Sequence, residues 1–279
     1  MTTLKKLLRK VYHLPHNIKR ARLNKISKVH EHPIFVIGNQ KSGTSAIGAL
    51  LADISGKSVA IDLPGILEPN QLKIHNKEIS FPEFIERNKY DFSKEVIKEP
   101  SLTFLYEEVH DYFPESQFVF IVRDPRDNIR SILNRVNIMG NLETIDDPDS
   151  RRKLAKAPKD WERVIDSRWL GMEGDNYIEW MAHRWNYAID IYKKHEEQML
   201  LIRYEDFVKD KEAQIASLAR KLGLEAINDI SSKVDIQYQP AGNKKVNKLE
   251  FFGEENLKKI ETICGPKMEE FGYQPKLVK

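Results

Sequence analysis

Two stretches of this chain hold residue types that bind and polarise anions. The first is Gly38-Asn39-Gln40-Lys41-Ser42-Gly43-Thr44-Ser45, set between the apolar runs Ile34-Phe35-Val36-Ile37 and Ala46-Ile47-Gly48-Ala49-Leu50-Leu51-Ala52. A buried strand that ends in glycine and passes into a helix offers unpaired N–H groups and the positive end of a helix dipole, which together cradle phosphate. Gly43 lets the backbone approach an anion closely, Thr44 and Ser45 supply hydroxyls, and Lys41 adds a cation. In the nucleoside-triphosphate P-loop a lysine follows the second glycine directly. Here Thr44 takes that place and the lysine stands two residues before Gly43, which speaks against a kinase or ATPase. The second stretch runs from Phe118-Val119-Phe120-Ile121-Val122 into Arg123-Asp124-Pro125-Arg126-Asp127 and on to Ser131 and Arg135. An arginine at the carboxyl end of a strand can fork onto a phosphate. Ser131 lies in the helix that follows, and Arg135, at i+4, shares its face.

Further groups with chemical potential are fewer. Lys98-Glu99-Pro100 follows the short β-rich Val96-Ile97. Asp62 comes 21 residues after Lys41, just before Leu63-Pro64, and Glu68 lies close behind it. A carboxylate in such a place needs partial desolvation to act as a base near neutral pH. Lys244, Lys245 and Lys248 form a basic stretch ahead of the last helical run. One cysteine, Cys264, excludes an intrachain disulfide and a cysteine-cluster metal site, and it reads as a small buried residue.

Gln40-Lys41-Ser42-Gly43-Thr44-Ser45 resembles the 5′-phosphosulfate loop of sulfotransferases, P-[KR]-x-G-[TS]-[TS], with Gln40 in place of the proline. The stretch from Phe118 to Ser131 resembles the 3′-phosphate site of the same family. Lys98-Glu99-Pro100 is similar to the Lys-Asp-Pro of tyrosylprotein sulfotransferases and their bacterial relatives. His183 to Ile189, Leu201 to Phe207, and Gly272-Tyr273 resemble later parts of that branch, so the likeness spans most of residues 34–273. It implies an enzyme that moves a sulfuryl group from 3′-phosphoadenosine 5′-phosphosulfate (PAPS) to a hydroxyl by in-line transfer, without a metal, leaving 3′,5′-ADP. It also implies roles. Lys41 stabilises the leaving nucleotide, and Ser42, Gly43, Thr44 and Ser45 hold the 5′-phosphate. Arg123, Ser131 and Arg135 hold the 3′-phosphate, Tyr204 lies near the nucleotide, Lys245 closes over it, and Lys98 is a second cation at the transferring group. Where cytosolic small-molecule sulfotransferases carry Lys-Thr-His, this chain has Glu99 after Lys98. The tyrosylprotein and some carbohydrate branches use a carboxylate after the first helix and second strand, so the resemblance implies a carboxylate base, with Asp62 ahead of Glu99 and Glu68. An NTPase, or a module that binds without turnover, are the alternatives.

These residues need a scaffold. The 279 residues are 41% hydrophobic, enough for a real core, and their strand–helix alternation predicts one P-loop-like α/β domain, a mostly parallel sheet flanked by helices. Strands are expected at 34–37, 58–61, 96–97, 117–122 and 199–202. Helices are expected at 46–52, 102–112, 127–136, 177–197, 213–222 and 257–271, with a polar loop over 231–250. Residues 140–176, rich in charge, read as an insertion outside the core that shapes the acceptor site. Trp161, Trp169 and Tyr177 offer faces that stack on sugars. Residues 1–32 hold nine Lys/Arg against Glu31, leaving the remaining chain at −5. Leu4, Leu7, Leu8 and Val11 recur at helical spacing, so this arm reads as a basic amphipathic helix suited to an anionic membrane surface. The longest apolar run, Phe118 to Val122, is far too short for a span. The expectation is a cytoplasmic enzyme, touching the inner membrane face through its arm, with a saccharide or glycolipid acceptor. A peptide tyrosine or small metabolite is the alternative acceptor, and no nucleic-acid partner is expected.

Overall fold

The computed structural model describes residues 18–157, 161–238 and 247–277. Five strands form one sheet: β1 (Ile34–Gly38), β2 (Val59–Ile61), β3 (Val96–Lys98), β4 (Gln117–Val122) and β5 (Met199–Arg203). Their order is β2-β3-β1-β4-β5 and every pairing is parallel, so the sheet is wholly rather than mostly parallel. Parallel neighbours require crossover connections, and helices supply them. The helices around the sheet include α1 (Thr44–Ser55) between β1 and β2, α2 (Pro125–Val136) and α3 (Tyr177–Lys194) between β4 and β5, and α4 (Tyr204–Lys209), α5 (Lys211–Lys221) and α6 (Lys248–Glu270) after β5.

The strand side chains alternate between two cores. Ile34, Val36, Val119 and Ile121 pack with Ile47, Leu50 and Leu51 of α1 and Ile215 and Leu218 of α5. Phe35, Ile37, Phe118, Phe120 and Val122 pack with Ile129 and Leu133 of α2, Trp185 and Ile189 of α3, and Ile260 and Met268 of α6. Burial on both faces explains why β1 and β4 read as continuous apolar runs. Each such side chain contributes about 1.5–3 kcal/mol of transfer free energy. Cys264 is buried in the second core, as its sequence context implied.

Three elements differ from the sequence expectation. Ile145, Leu154, Val164, Ile165 and Leu170 of the 140–176 stretch are buried in the main core, so this stretch is a core element. Its charges mask apolar residues that fall on one side of short helices at Pro148–Lys156 and Trp161–Ile165. The last helix starts at Lys248, nine residues ahead of Leu257, because Asn247 caps it and Phe251 and Phe252 are buried. Gly253, at φ 70° and ψ 164°, kinks it. Residues 18–26 are helical and docked: Arg20 pairs with Asp91, and Asn24 bonds the Arg87 carbonyl (2.7 Å) and the Tyr90 N–H (3.0 Å). Leu4, Leu7, Leu8 and Val11 lie outside the described residues.

From β1 the chain first builds β2 and β3 on one side, then crosses to β4 on the other. In doubly wound sheets the crevice at the carboxyl ends of the strands flanking such a switch is where ligands bind. Gly38 pairs with Ile121, Val36 with Lys98, and Val122 with Arg203, so the motifs at 38–45, 98–100, 123 and 204 emerge at one edge.

Candidate active site

The loop after β1 is shaped by two left-handed residues. Lys41 sits at φ 68° and Gly43, the N-cap of α1, at φ 95°. For a non-glycine residue this conformation costs roughly 1–2 kcal/mol, and such strain collects at functional loops. α1 starts at Thr44, two residues ahead of the apolar run, and no side chain caps its first turn. A Cβ on Gly43 would overlap the Tyr204 ring, so only glycine lets α4 close over the loop. The Arg123 guanidinium lies 4.4 Å from the Tyr204 ring centre, and its Nη1 donates to the Lys41 carbonyl at 2.7 Å. Among the described residues Arg123 Nε is buried without a partner, a donor open to a ligand.

This loop borders a cleft of about 760 Å³ that also takes in Asp62, Lys98, Glu99, Arg123, Ser131, Arg135 and Tyr204. Gln40, Lys41, Gly43, Thr44 and Ser45 line it; Ser42 does not. Ser42 is fully buried and its hydroxyl accepts from Asn128 Nδ2 at 3.0 Å, so its side chain serves the loop's rear. Burial first, and then Arg135, Arg123 and Lys98, pull the Lys41 ammonium down from 10.5 to about 8, with Asp62 opposing them. Clustered cations that disfavour their own charge mark a site built for an anion.

The two carboxylates beside Lys98 differ sharply. Asp62, at φ 64°, is 60% exposed and ion-paired with Lys98, which is 2% exposed. Its own N–H donates to the Lys98 carbonyl at 3.0 Å. Glu99 is buried, and both its oxygens are taken: Oε2 accepts from Leu63 N–H (2.8 Å) and Oε1 from Ser101 N–H (2.9 Å). Burial pushes the Glu99 carboxyl above its ordinary range against the pull of Lys98. Its geometry is that of a brace between the Asp62 turn and the 100–105 turn, not of an open base. The Glu68 side chain, Lys244 and Lys245 lie outside the described residues. Lys248 is paired with Asp127 (2.8 Å) and Asp124 (3.5 Å).

Of the three aromatic residues expected near an acceptor, only Trp161 lines the cleft, with Arg135 5.7 Å from its ring. Tyr177 is core, its hydroxyl donating to the Met139 carbonyl at 2.9 Å, and Trp169 packs edge-on with His75. The sequence reading missed the support behind the loop. Asn39 Nδ2 donates to Asn128 Oδ1 (2.9 Å), Asn128 Nδ2 to the Gln40 carbonyl (2.8 Å), and Arg184 Nη2 to Gln40 Oε1 (2.8 Å). The available signal was Asn128 and Arg184 standing on helix faces otherwise filled by Ile129, Ile132, Met181 and Trp185.

A sequence profile of the sulfotransferase family matches residues 71–229, more than half of the chain. This chain belongs to the sulfotransferase family. The match takes in Lys98, Arg123, Ser131, Arg135 and Tyr204, while the 38–45 loop and Asp62 lie ahead of it. The chain is also similar to solved structures. The sulfotransferase STF9 from Mycobacterium avium is 10% identical over 94% of this chain and 82% of its own, at a TM-score of 0.51. A sulfotransferase from Alicyclobacillus acidocaldarius is 15% identical over 85% of this chain and 97% of its own (TM-score 0.44). Mouse sulfotransferase SULT7A1, solved with PAP, is 15% identical over 90% of this chain and 89% of its own (TM-score 0.46). No curated protein matches the chain. At one edge of its sheet this sulfotransferase has a cleft lined by Lys41, Arg123 and Arg135, with the paired Lys98 and Asp62 beside them. No helix among its described residues is long and apolar enough to cross a membrane.

Proposed function

We propose that this sulfotransferase uses PAPS and passes its sulfuryl group to a hydroxyl of a saccharide or glycolipid. The observation that carries the reading is the convergence of Lys41 and the Lys98–Asp62 pair on one arginine-lined cleft. Two features fit the nucleotide: the close approach of the Tyr204 ring to the Gly43 backbone, and Arg123 Nε, which has no partner among the described residues. When bound, PAPS supplies an activated sulfuryl group whose departure leaves negative charge on the nucleotide's 5′-phosphate.

The residues divide the work. Thr44, Ser45 and the loop amides hold the 5′-phosphate, and Lys41 neutralises the charge that grows there. Arg123, Ser131 and Arg135 hold the 3′-phosphate, Tyr204 flanks the nucleotide, and Lys245 closes over it. Lys98 holds Asp62 through Oδ1, leaving Oδ2 to take the acceptor's proton. Glu99 fixes the backbone beside Asp62. The reading calls for no metal, since side-chain cations neutralise the charge. Trp161 offers a ring face at the mouth of the cleft for a sugar. We assign residues 33–279 to the catalytic domain and the basic arm, 1–32, to an anionic lipid surface on the cytoplasmic side. In the described part of that arm Lys19, Arg22, Lys25 and Lys28 are exposed together with Ile18 and Ile26.

Calorimetry with 3′,5′-ADP tests the cofactor. Binding should be indifferent to EDTA and weaken as salt rises; a need for Mg²⁺ or a preference for ATP overturns the reading. Labelled PAPS offered with pools of glycans, glycolipids and tyrosine peptides tests the acceptor. Label on peptides alone moves the acceptor to tyrosine. Flotation with anionic vesicles tests the arm.

A further inference from the structure

Arg184 of α3 has no exposed surface, and among the described residues its guanidinium meets only neutral partners. Nε donates to Asn39 Oδ1 (3.2 Å), Nη2 to Gln40 Oε1 (2.8 Å) and Nη1 to Ser167 Oγ (3.5 Å), while Phe104 lies 3.9 Å from the guanidinium carbon. Arg126, another buried arginine, instead shares the carboxylates of Asp124 and Glu261. Burial draws Arg184 down to about 9, still above neutral, so it stays charged. A buried charge without a counter-ion is costly and calls for an explanation.

Its position supplies one. Asn39 and Gln40 lead directly into Lys41, and Asn39 Oδ1 also accepts the Gln40 N–H (3.0 Å). Asn128 closes the brace by donating to the Gln40 carbonyl and to Ser42 Oγ. The cation is thus tied to the rear of a loop whose front lines the cleft. The family pattern carries proline where Gln40 stands, and a proline side chain cannot accept a hydrogen bond from a guanidinium. We propose that Arg184 is a positioning residue for the anion cradle: its carboxylate-free guanidinium sets the loop through Asn39 and Gln40 and finds its counter-charge in the phosphate group the loop holds. This inference rests on the reading that the loop holds the 5′-phosphate end of the nucleotide.

Arg184→Met keeps the bulk and removes the charge. The substitution relieves a buried charge but also leaves Gln40 Oε1 without its donor, and the two effects oppose each other. The melting temperature of the ligand-free protein should therefore change little. Affinity for 3′,5′-ADP, read by calorimetry, should fall by about tenfold to a hundredfold, and the rise in melting temperature on adding 3′,5′-ADP should shrink with it. Arg184→Lys keeps the charge without the fork and should recover part of that affinity. Gln40→Glu places a carboxylate against Arg184 at constant size; it should raise the ligand-free melting temperature and weaken 3′,5′-ADP binding, and the thermal gain should vanish in an Arg184→Met background. A Met variant that melts lower than the parent yet binds 3′,5′-ADP as tightly would reduce Arg184 to a core brace and overturn the inference. Equal binding by the Met and Lys variants would overturn it too. If the parent itself does not bind 3′,5′-ADP, the cofactor reading fails; if the parent binds and Arg184→Met binds alike, only this inference does.

Discussion

The loop at 39–45 and the segment at 62–67 line one cleft but are anchored by different physics. The loop rests on buried neutral groups: Asn39, Gln40 and Ser42 are each 5% exposed or less and bond to Asn128 and Arg184. The segment after β2 is pinned by its backbone to Glu99 and by the buried side chains of Leu63 and Ile66, while Asp62 stays largely in solvent on its ion pair with Lys98. The first arrangement suits a partner of constant shape, because a satisfied buried network has one geometry. On the proposed reading, the second keeps the Asp62 carboxylate within reach of an arriving hydroxyl while its backbone is held by Glu99. Rigidity on one side and access on the other is what transfer between a fixed donor and a variable acceptor requires.

Changes on either wall should break this contrast in different ways. The largest effect belongs to Asp62→Asn, which should lower turnover by about 10² to 10⁴ while 3′,5′-ADP affinity stays near the parent's. Steady-state rates with labelled PAPS and calorimetry read the two halves; parental turnover would leave the exposed wall without a base. Next comes Lys41→Ala, expected to cost about 10² to 10³ in turnover and much less in affinity, because the lysine meets charge that grows in the transition state. Arg123→Ala should show the reverse pattern, mainly in affinity, and matching profiles for the two variants would erase the division of roles.

A smaller effect follows pH. Lys41 loses its proton as pH rises through about 8, so kcat/KM should decline above that point. An anionic ligand favours the protonated lysine, so 3′,5′-ADP binding at pH 8 should take up protons. Calorimetry in buffers of differing ionisation heat measures this uptake, and Lys41→Ala should abolish it. The smallest rate effect is expected for Glu99→Gln. It weakens one of two backbone anchors, so it should cost about 1–3 kcal/mol in unfolding free energy while changing turnover only a few-fold. A dead, fully stable Glu99→Gln would transfer the base from Asp62 to Glu99.

Much of the scaffold was legible because its signals are local. Ile34–Gly38 and Gln117–Val122 read as buried strands from continuous apolar runs, and Gly43 and Arg123 stood out where a strand hands over to a helix. The start of α6 at Lys248 and the core role of residues 140–176 were not legible. There, a few apolar side chains such as Phe251, Phe252, Val164 and Ile165 are buried by partners distant in sequence. Charge-rich composition conceals such contacts.

By itself the sequence determined the order of the cationic motifs and the strands that carry them, because apolar runs and strand-to-helix turns are written in neighbouring residues. Tertiary structure decided which of the two cleft carboxylates stays open. Asp62 and Glu99 both adjoin Lys98, yet only packing turns Glu99 inward onto two backbone amides and leaves Asp62 exposed. It also decided that Arg184 stands behind Gln40, 144 residues away along the chain. Burial and hydrogen-bond partnership belong to the folded surface around a side chain, and no local spacing encodes them.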